Sequence, residues 1–246
     1  MSSKPFLSIV IPAYNEEGRI GKTLTKLQEY VADQNRSHEI IVVDDGSQDD
    51  TVVLVQKVAA GQNSFRLLKN DHNRGKGYAV RKGVLEARGQ YIAFMDADLS
   101  TPVEEIERAL HWLMNGYDMV IGSRALAESN VLVHQPAYRE KGAQVFKHIY
   151  RAITGLYGIE DTQCGFKFFT RDVAHDIFSM QLVDGFMFDI EILLIAQKRG
   201  YRIKEMPVRW VNDPDSRLRL VRDTARMFRD LVAIRLNCRK LKTLWQ

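Results

Sequence analysis

Residue types that build disulfide frameworks, zinc sites and membrane spans are scarce in this sequence. Only two cysteines, Cys164 and Cys238, occur among 246 residues, and none of the six histidines is paired at i, i+4. Two thiols cannot form a disulfide framework or a four-thiolate zinc site, so the simple interpretation is a reducing compartment. The longest stretch without a charged residue, Pro5 to Asn15, has 11 residues. A membrane span needs about 20, so we expect no transmembrane helix, and no signal peptide because acidic residues follow directly.

Sequence motifs of several common enzyme classes are absent as well. The segment Asn73–Gly77 contains two glycines but matches neither G-x-G-x-x-G nor G-x-x-x-x-G-K-[ST]. This disfavours a dinucleotide-binding domain and a P-loop nucleotidase. There is no G-x-S-x-G and no cysteine beside a matching histidine, which disfavours acyl transfer. The scattered histidines disfavour a zinc hydrolase.

The charge of the chain is unevenly distributed. Lys and Arg total 35 against 31 Asp and Glu, a net charge of +4, and 45% of residues are hydrophobic, enough for a sizeable core. Residues 213–246 carry nine Lys or Arg and four Asp, so they hold +5 and residues 1–212 hold −1. We therefore divide the chain into a main domain, 1–212, and a basic tail, 213–246. Such a tail suits nucleic acid, an anionic membrane or a phosphate-bearing ligand, and equally the solvated face of a terminal helix.

Strand and helix patterns alternate along the first half of the chain. Apolar residues at helical spacing, such as Ile20, Leu24, Leu27 and Val31, separate short apolar runs. The runs predicted as strands are Phe6–Ile11, Ile40–Val43, Phe65–Leu68, Tyr91–Met95 and Met119–Ile121. This alternation predicts an α/β fold whose mainly parallel sheet is sandwiched by helices.

The second half is less regular. Leu126–Tyr138 shows no clean period and is predicted as a long loop. Beyond it we expect a helix over Ala143–Ile153, a strand over Phe166–Phe169, a helix over Phe188–Gln197 and a strand over Arg202–Trp210.

Three polar clusters follow directly after predicted strands. They are Pro12–Glu16, Asp44–Ser47 and Asp96–Asp98. Each alone could be ordinary turn chemistry, since Asp, Gly and Ser favour turns and helix caps. In open α/β sheets, however, ligands bind at the carboxyl ends of the strands, so we expect the three clusters to converge on one crevice.

Asp96 and Asp98 are the candidate metal ligands. They leave an apolar strand together, and two acids there must face either water or a cation. Mg²⁺ or Mn²⁺ is held by one or two carboxylates together with substrate phosphates and water. The pair therefore predicts a site for one of these ions.

At this point the sequence resembles a known family, the inverting GT-A glycosyltransferases of family 2. The resemblance rests on Pro12–Glu16, Val42–Ser47 with Asp49 and Thr51, Asn73–Gly77 and Asp96–Asp98, in family-typical order and spacing. Gly122–Arg124 and Asp161–Lys167 are similar to the polyprenyl-phosphate sugar transferases, in particular the dolichyl-phosphate β-glucosyltransferases. The resemblance implies a GT-A fold, which is a Rossmann-like nucleotide-diphospho-sugar transferase fold, over roughly residues 6–210.

The resemblance also implies residue roles. The nucleotide sugar is expected to meet Pro12, Tyr14, Glu16, Asp45, Lys76 and Asp96. Asp96 and Asp98 match the metal-binding D-x-D pair, and Ser100 stands where a third ligand can lie. Arg124 and Arg139 match basic positions for the acceptor phosphate, and Asp161, Gln163 and Gly165 match an acceptor-side loop, with Gln163 expected to contact that phosphate. Arg217 is a further candidate for this phosphate because arginine is the right residue type, although relatives often have Gly-Ser-Lys in that loop. Asp189 and Glu191 match a carboxylate pair near the sugar.

Physical chemistry adds to the roles of the catalytic set, Asp96, Asp98 and Asp189. A metal ion between the first two stabilises a leaving diphosphate. A phosphate monoester is already largely dianionic at pH 7, so it attacks without a general base. We therefore expect Asp189 to bind a sugar hydroxyl. The alternative for Asp189 and Glu191 is that they complement a helix dipole.

The basic tail contains an amphipathic pattern. Val221, Ala225, Phe228 and Val232 form one face, and arginines run along the other. Such a helix can lie in an anionic membrane interface, or its apolar face can pack on the main domain or another subunit. We expect membrane docking because the implied acceptor is a lipid.

The favoured function is transfer of glucose from UDP-glucose to dolichyl or polyprenyl phosphate, peripherally on the cytoplasmic face of a membrane. Alternatives are another donor, such as GDP-mannose or UDP-N-acetylglucosamine, a non-lipid acceptor, or a nucleotide-sugar binding module without turnover. A nucleic-acid partner is disfavoured because the tail has no aromatic platform or known binding motif. The oligomeric state is not readable from the sequence.

Overall fold

The computed structural model describes residues 4–133, 137–211 and 220–243. Within them a seven-stranded sheet has the order β3-β2-β1-β4-β7-β5-β8, and β6 and β9 form a separate ribbon. The strands are β1 (Leu7–Ala13), β2 (His38–Asp44), β3 (Phe65–Lys69), β4 (Tyr91–Met95), β5 (Met119–Ser123), β6 (Asn130–Val133), β7 (Phe166–Thr170), β8 (Ile203–Pro207) and β9 (Arg209–Val211). The helices are α1 (Ile20–Ala32), α2 (Thr51–Ala59), α3 (Lys76–Glu86), α4 (Glu105–Met114), α5 (Ala137–Thr154), α6 (Arg171–Met180), α7 (Phe188–Lys198) and α8 (Leu220–Thr243).

The large sheet is buried on both faces, which explains its continuous apolar strands. In β1, Val10 packs in one core cluster with residues of α3, α6 and α7, whereas Ile9 and Ile11 pack in a second cluster with residues of α1 and α4. The alternation follows from the two-residue side-chain period of a strand. The predicted sandwich of helices around a mainly parallel sheet is confirmed.

One reversed strand shapes the edge where the polar clusters lie. Strands β1, β2, β3 and β4 are parallel, β5 is parallel to β8, and β7 runs antiparallel between β4 and β5. The carboxyl ends of β1, β2, β4 and β5 therefore share one edge with the start of β7. The loops after those four strands and the segment before Phe166 meet there.

Two predictions for the second half are wrong. Leu126–Tyr138 is not one loop: β6 lies within it, and α5 begins at Ala137. Strand β6 pairs in parallel with β9, Asn130 opposite Arg209, so the pairing depends on a partner far along the chain. The predicted strand over Arg202–Trp210 is two strands, β8 and β9, which belong to different sheets.

Helix α6 was missed although its sequence carried a signal. Its buried residues are Val173, Ala174, Ile177 and Phe178, at the spacing of one helical face. The other expected elements of the second half are present with extended ends, α5 over Ala137–Thr154, β7 over Phe166–Thr170 and α7 over Phe188–Lys198.

Helix α8 packs on the main domain along part of its surface. Leu231 and Ile234 are wholly buried in the same core cluster as α5 and α7, while Phe228, Val232 and Leu236 are exposed. The side chains of Val221 and Ala225, also expected on the apolar face, lie outside the described part. Among the described residues no helix is both long and apolar enough to cross a membrane.

Candidate active site

The loops after β1 and β2 are joined by hydrogen bonds in both directions. The Asn15 amide donates to Ser47 Oγ (2.8 Å), and Asn15 Oδ1 accepts from the Gln48 amide (2.7 Å). The Glu16 amide donates to Thr51 Oγ1 at 2.6 Å. Asn15 holds a φ of +53°, a conformation that Asn tolerates better than most residues. The first two polar clusters of the sequence therefore form one continuous wall.

Pro12, Tyr14 and Glu16, which the resemblance implies as contacts of the nucleotide sugar, lie on this wall. Pro12 is near the end of β1, opposite Val43 of β2. Tyr14 is half-buried just beyond the strand. The Glu16 carboxylate is held by Arg19, whose Nη2 lies 3.0 Å from Oε1.

Asp45 is almost wholly buried and organises the segment that leads into α3. Its Oδ1 accepts from Asn70 Nδ2 (2.7 Å), and its Oδ2 accepts from the Gly75 amide (2.7 Å). The Arg74 amide donates to both oxygens, at 3.0 and 3.1 Å. Hydrogen bonds to a carboxylate are about twice as strong as neutral ones. Asp45 therefore fixes the backbone immediately before Lys76.

Lys76, the first residue of α3, reaches the D-x-D pair. Its Nζ lies 2.6 Å from Asp96 Oδ1. Burial disfavours the charged ammonium, but the carboxylates of Asp96 and Asp189 outweigh this effect and raise the pKa of Lys76 above its usual range. Lys76 is therefore a firmly charged cation beside the carboxylates.

Asp98 is the second carboxylate of the pair. Burial and the neighbouring Asp96 carboxylate raise the pKa of Asp98. Its Oδ1 accepts from the Ser100 amide at 2.9 Å, and Leu99 between them has a φ of +50°. Backbone strain of this kind is common at functional sites. The turn places Asp98 and Ser100 together beside Asp96.

The donor set fits a divalent cation. No group of three or more His, Cys, Asp or Glu side chains that could hold a metal occurs in the part of the chain that the structure describes. Mg²⁺ keeps several waters and needs only one or two carboxylates when substrate phosphates complete its shell. Two close carboxylates, one with a raised pKa, gain from such a charge.

Gly165 lies directly against Asp96. The Asp96 amide donates to the Gly165 carbonyl at 3.0 Å. A Cβ at position 165 would lie 1.9 Å from Asp96 Oδ2, a distance that no side chain can occupy. Only glycine at this position leaves room for the Asp96 carboxylate. The resemblance implied that Gly165 belongs to an acceptor-side loop, and no sequence pattern indicated its contact with Asp96.

Arg124, immediately after β5, is paired with Asp161. Its Nε and Nη2 donate to the two Asp161 oxygens at 2.6 and 2.8 Å, and its amide donates to Oδ2 at 3.0 Å. Burial alone would raise the pKa of Asp161, but Arg124 lowers it to about 2. The guanidinium also lies 5.3 Å from the Trp210 ring centroid. This bidentate pair fixes the cation while Nη1 points away from the carboxylate.

The other expected acceptor residues are placed less fully. The Gln163 amide donates to Asp161 Oδ1 at 3.1 Å, so Gln163 belongs to the same loop. Arg139 lies in α5, but its side chain is outside the described part. Arg217 lies outside the described residues altogether.

Asp189 and Glu191 contact different parts of the structure. Asp189, at the start of α7, accepts from Lys167 Nζ at 2.5 Å, and burial raises its pKa against the effect of Lys167 and Lys76. Glu191 instead accepts from the Leu182 amide, at 3.1 Å from Oε2, and belongs to a loop contact. Only Asp189 joins the site. Both carboxylates are deeply buried.

Lys167 is a site residue that sequence reasoning missed. It is wholly buried in β7 between Phe166 and Phe168. The signal was available, since a lysine inside an aromatic strand needs a buried partner.

The chain matches the family model for glycosyl transferase family 2 over residues 8–178. It belongs to that family. The enzyme is therefore a glycosyltransferase, and the resemblance expected from its motifs is confirmed. The dolichyl-phosphate beta-glucosyltransferase of Saccharomyces cerevisiae is 36% identical, covering 94% of this chain and 74% of the relative. The human protein of that name is 36% identical, covering 98% of this chain and 77% of the relative.

Solved structures confirm the fold. Glucosyl-3-phosphoglycerate synthase from Mycobacterium tuberculosis, solved with Mn²⁺, UDP and glucosyl-3-phosphoglycerate, has a TM-score of 0.65 at 20% identity. The match covers 95% of this chain and 80% of that one. Another structure of that synthase, with Mg²⁺ and UDP, has a TM-score of 0.66 at 19% identity. The expected GT-A arrangement of this family 2 enzyme is thereby shown.

Proposed function

We propose that this enzyme transfers glucose from UDP-glucose to dolichyl or polyprenyl phosphate, with inversion and with Mg²⁺ or Mn²⁺. The observation that carries the proposal is the meeting of Lys76, Asp96, Asp98 and Asp189 at one sheet edge. The relatives named dolichyl-phosphate beta-glucosyltransferases support the sugar and the acceptor. The structures that hold UDP with Mn²⁺ or Mg²⁺ support the donor and the metal.

On the donor side, the joined loops after β1 and β2 would hold the nucleotide. Pro12, Tyr14 and Glu16 line their surface, and Asp45 fixes the backbone that carries Lys76. A divalent ion bound by Asp96 and Asp98, with Ser100 nearby, would supply positive charge to the leaving diphosphate. Lys76 would add a second cation, already charged and held in place before substrate binds.

Asp189 would bind the sugar and act in that role only. A dianionic phosphate needs no general base, because no proton has to leave the attacking oxygen. Asp189 is bound by Lys167 and lies close to Lys76, and both cations favour its ionised form, while burial raises its pKa. An ionised carboxylate accepts hydrogen bonds from sugar hydroxyl groups and can fix the ring for attack from the face opposite the diphosphate.

On the acceptor side, Arg124 would meet the lipid phosphate. Its pairing with Asp161 orients the guanidinium, and Nη1, which takes no part in that pairing, suits a phosphate oxygen. Gln163 lies in the loop that Asp161 begins. Arg139 and Arg217 remain proposed partners from the sequence.

Helix α8 would lie at the membrane that holds the acceptor. Phe228, Val232 and Leu236 stay exposed although Leu231 and Ile234 are buried, so one face packs on the enzyme while another remains apolar and open. Arg229 is exposed beside them and suits an anionic surface. The cytoplasmic face matches the reducing compartment expected from the cysteine content.

A transfer assay tests the proposal directly. Purified enzyme is incubated with short-chain polyprenyl phosphate, in detergent or in anionic vesicles, with Mn²⁺ and labelled UDP-glucose, GDP-mannose or UDP-N-acetylglucosamine. We expect lipid-linked label from UDP-glucose, a β-anomeric product by NMR, a higher rate in vesicles, and no product with EDTA or in Asp98→Asn. Asp172→Asn, which removes an exposed carboxylate of α6, is the matched control and should keep wild-type activity.

Other outcomes decide between the alternatives. Product from another donor would replace UDP-glucose, and product on a soluble phosphate alone would replace the lipid acceptor. Metal-dependent UDP binding without transfer from any donor would contradict catalysis and support a binding module.

A further inference from the structure

Lys167 has an environment that no other basic residue shares in the described ranges. It is the one Lys or Arg there whose side chain is fully buried. Nearly all buried charges in proteins are paired, because an unpaired charge loses its hydration without compensation. The partners of Lys167 therefore indicate why the chain keeps a cation in this place.

Its ammonium has three close neighbours. Nζ donates to Asp189 Oδ1 at 2.5 Å and to the Cys164 carbonyl at 2.7 Å, and it lies 5.3 Å from the Phe94 ring centroid. The Cys164 carbonyl belongs to the segment just before β7, and the Asp189 carboxylate lies in the first turn of α7. Lys167 thus ties the segment beside Asp96 to the helix that carries Asp189.

The site contains more carboxylates than cations. Asp96, Asp98 and Asp189 all act on the charge of Lys76, which contacts Asp96 directly at 2.6 Å. Without a second cation, Asp189 would compete with Asp96 for Lys76. Lys167 contacts Asp189 directly and supplies that second positive charge.

We propose that Lys167 is a positioning residue, which pairs with Asp189, orients it for the donor sugar and leaves Lys76 to the D-x-D pair. The inference rests on the proposed function, in which Asp189 contacts the sugar. Lys167 itself, sealed in the core, touches no substrate.

Loss of a purely structural ion pair and loss of a positioning pair would affect ligand binding differently. Loss of a structural pair weakens the whole fold, so any effect on UDP and on UDP-glucose binding would be similar. Loss of a positioning pair removes the contact with the sugar alone. The ratio of the UDP to the UDP-glucose dissociation constant isolates this contact, because effects on the nucleotide and diphosphate cancel.

The test measures both constants by calorimetry with Mn²⁺ for the wild type, Lys167→Met, Asp189→Asn and the double variant. We expect Lys167→Met to weaken UDP-glucose relative to UDP by about 10- to 100-fold, the usual effect of removing a partner that orients a ligand-binding group. Asp189→Asn should give a similar change. The double variant should show no further change, because Lys167 acts through Asp189.

Ile177→Ala provides the control for lost stability. Ile177 is wholly buried in α6, and its truncation leaves a cavity without altering any charge. This variant should melt at a lower temperature and keep the wild-type ratio. A wild-type ratio in folded Lys167→Met, or additive losses in the double variant, would overturn the inference.

The experiments distinguish failure of the proposed glucosyl transfer from failure of the proposed role of Lys167. If the wild type binds UDP but transfers no glucose from UDP-glucose, the proposed function is wrong. If the wild type transfers glucose while Lys167→Met keeps the wild-type ratio, only the role of Lys167 is wrong.

Discussion

The proposed donor side and the proposed acceptor side of the site are held together in different ways. After β1 and β2, backbone amides donate to side chains, as in the bonds from Asn15 to Ser47 and from Gly75 to Asp45. After β5 and before β7, charged side chains pair with each other, as in Arg124 with Asp161. The donor wall is thus a shaped backbone, and the acceptor side is a set of oriented charges.

This difference corresponds to the ligand that each side is proposed to bind. A nucleotide base and ribose are recognised by shape and by placed hydrogen-bonding groups, which a fixed backbone supplies. A phosphate is recognised by cations, and a cation already paired with a carboxylate is oriented before the ligand arrives. Substitutions on the two sides are therefore expected to differ in their free-energy cost, because breaking a buried ion pair costs more than weakening one hydrogen bond.

The largest effect is expected at the junction of the two sides. Gly165→Ala would place a Cβ 1.9 Å from Asp96 Oδ2 and must displace that carboxylate. We expect glucosyl transfer to fall by at least about 100-fold, the usual cost of misplacing a reacting group by about 1 Å. Steady-state rates of the folded variant measure this. Gly21→Ala, in α1 with open space around it, is the matched control and should retain activity. Wild-type activity in Gly165→Ala would show that Asp96 does not need its observed position.

The second-largest effect is expected at the ion pair of the acceptor side. The pH dependence of the stability that this pair provides is the test. Arg124 lowers the pKa of Asp161 to about 2, below its value in the unfolded chain of about 4. A carboxyl group with a lowered pKa stabilises the folded state at every pH above its pKa in the unfolded chain. This contribution is lost as the pH falls from about 4 to 2. We expect Asp161→Asn to lower the free energy of unfolding by about 2–3 kcal/mol at pH 6 and by much less near pH 2. Denaturant titrations across this range measure the gap. A gap that stays constant with pH would contradict the ion pair as its source.

The smallest effect is expected on the donor side. Asp45→Asn keeps one acceptor oxygen but cannot accept from both Asn70 and the Gly75 amide. We expect a loss of about 1–2 kcal/mol in unfolding free energy, with a raised KM for the donor and an unchanged KM for the acceptor. Steady-state kinetics with each substrate varied in turn test this split. An equal rise in both KM values would erase the contrast between the two sides.

The parts that sequence predicts best depend on local pattern. Strands β1, β2 and β4 are buried on both faces, so their continuous apolar runs stand out, and the acids of Asp96–Asp98 follow at a strand end. Because parallel strands end at one edge, the meeting of three polar clusters could be inferred before any contact was known.

The parts that sequence misses depend on distant partners. The pairing of β6 with β9 joins Asn130 to Arg209, and no local pattern in either segment indicates the other. The division between Asp189 and Glu191 depends on which neighbour each carboxylate meets, Lys167 or the amides of the loop before α7. Two acids two residues apart on a helix look equivalent in sequence but point in different directions.

In the proposed mechanism the two sides meet at a metal held by Asp96 and Asp98, with the nucleotide on the donor wall. Anomalous diffraction from crystals of the enzyme grown with Mn²⁺ and UDP tests this most directly. We expect one strong manganese peak about 2 Å from an Asp98 carboxylate oxygen and in contact with the UDP diphosphate. Bound UDP with the manganese peak elsewhere, or with no peak, would contradict it.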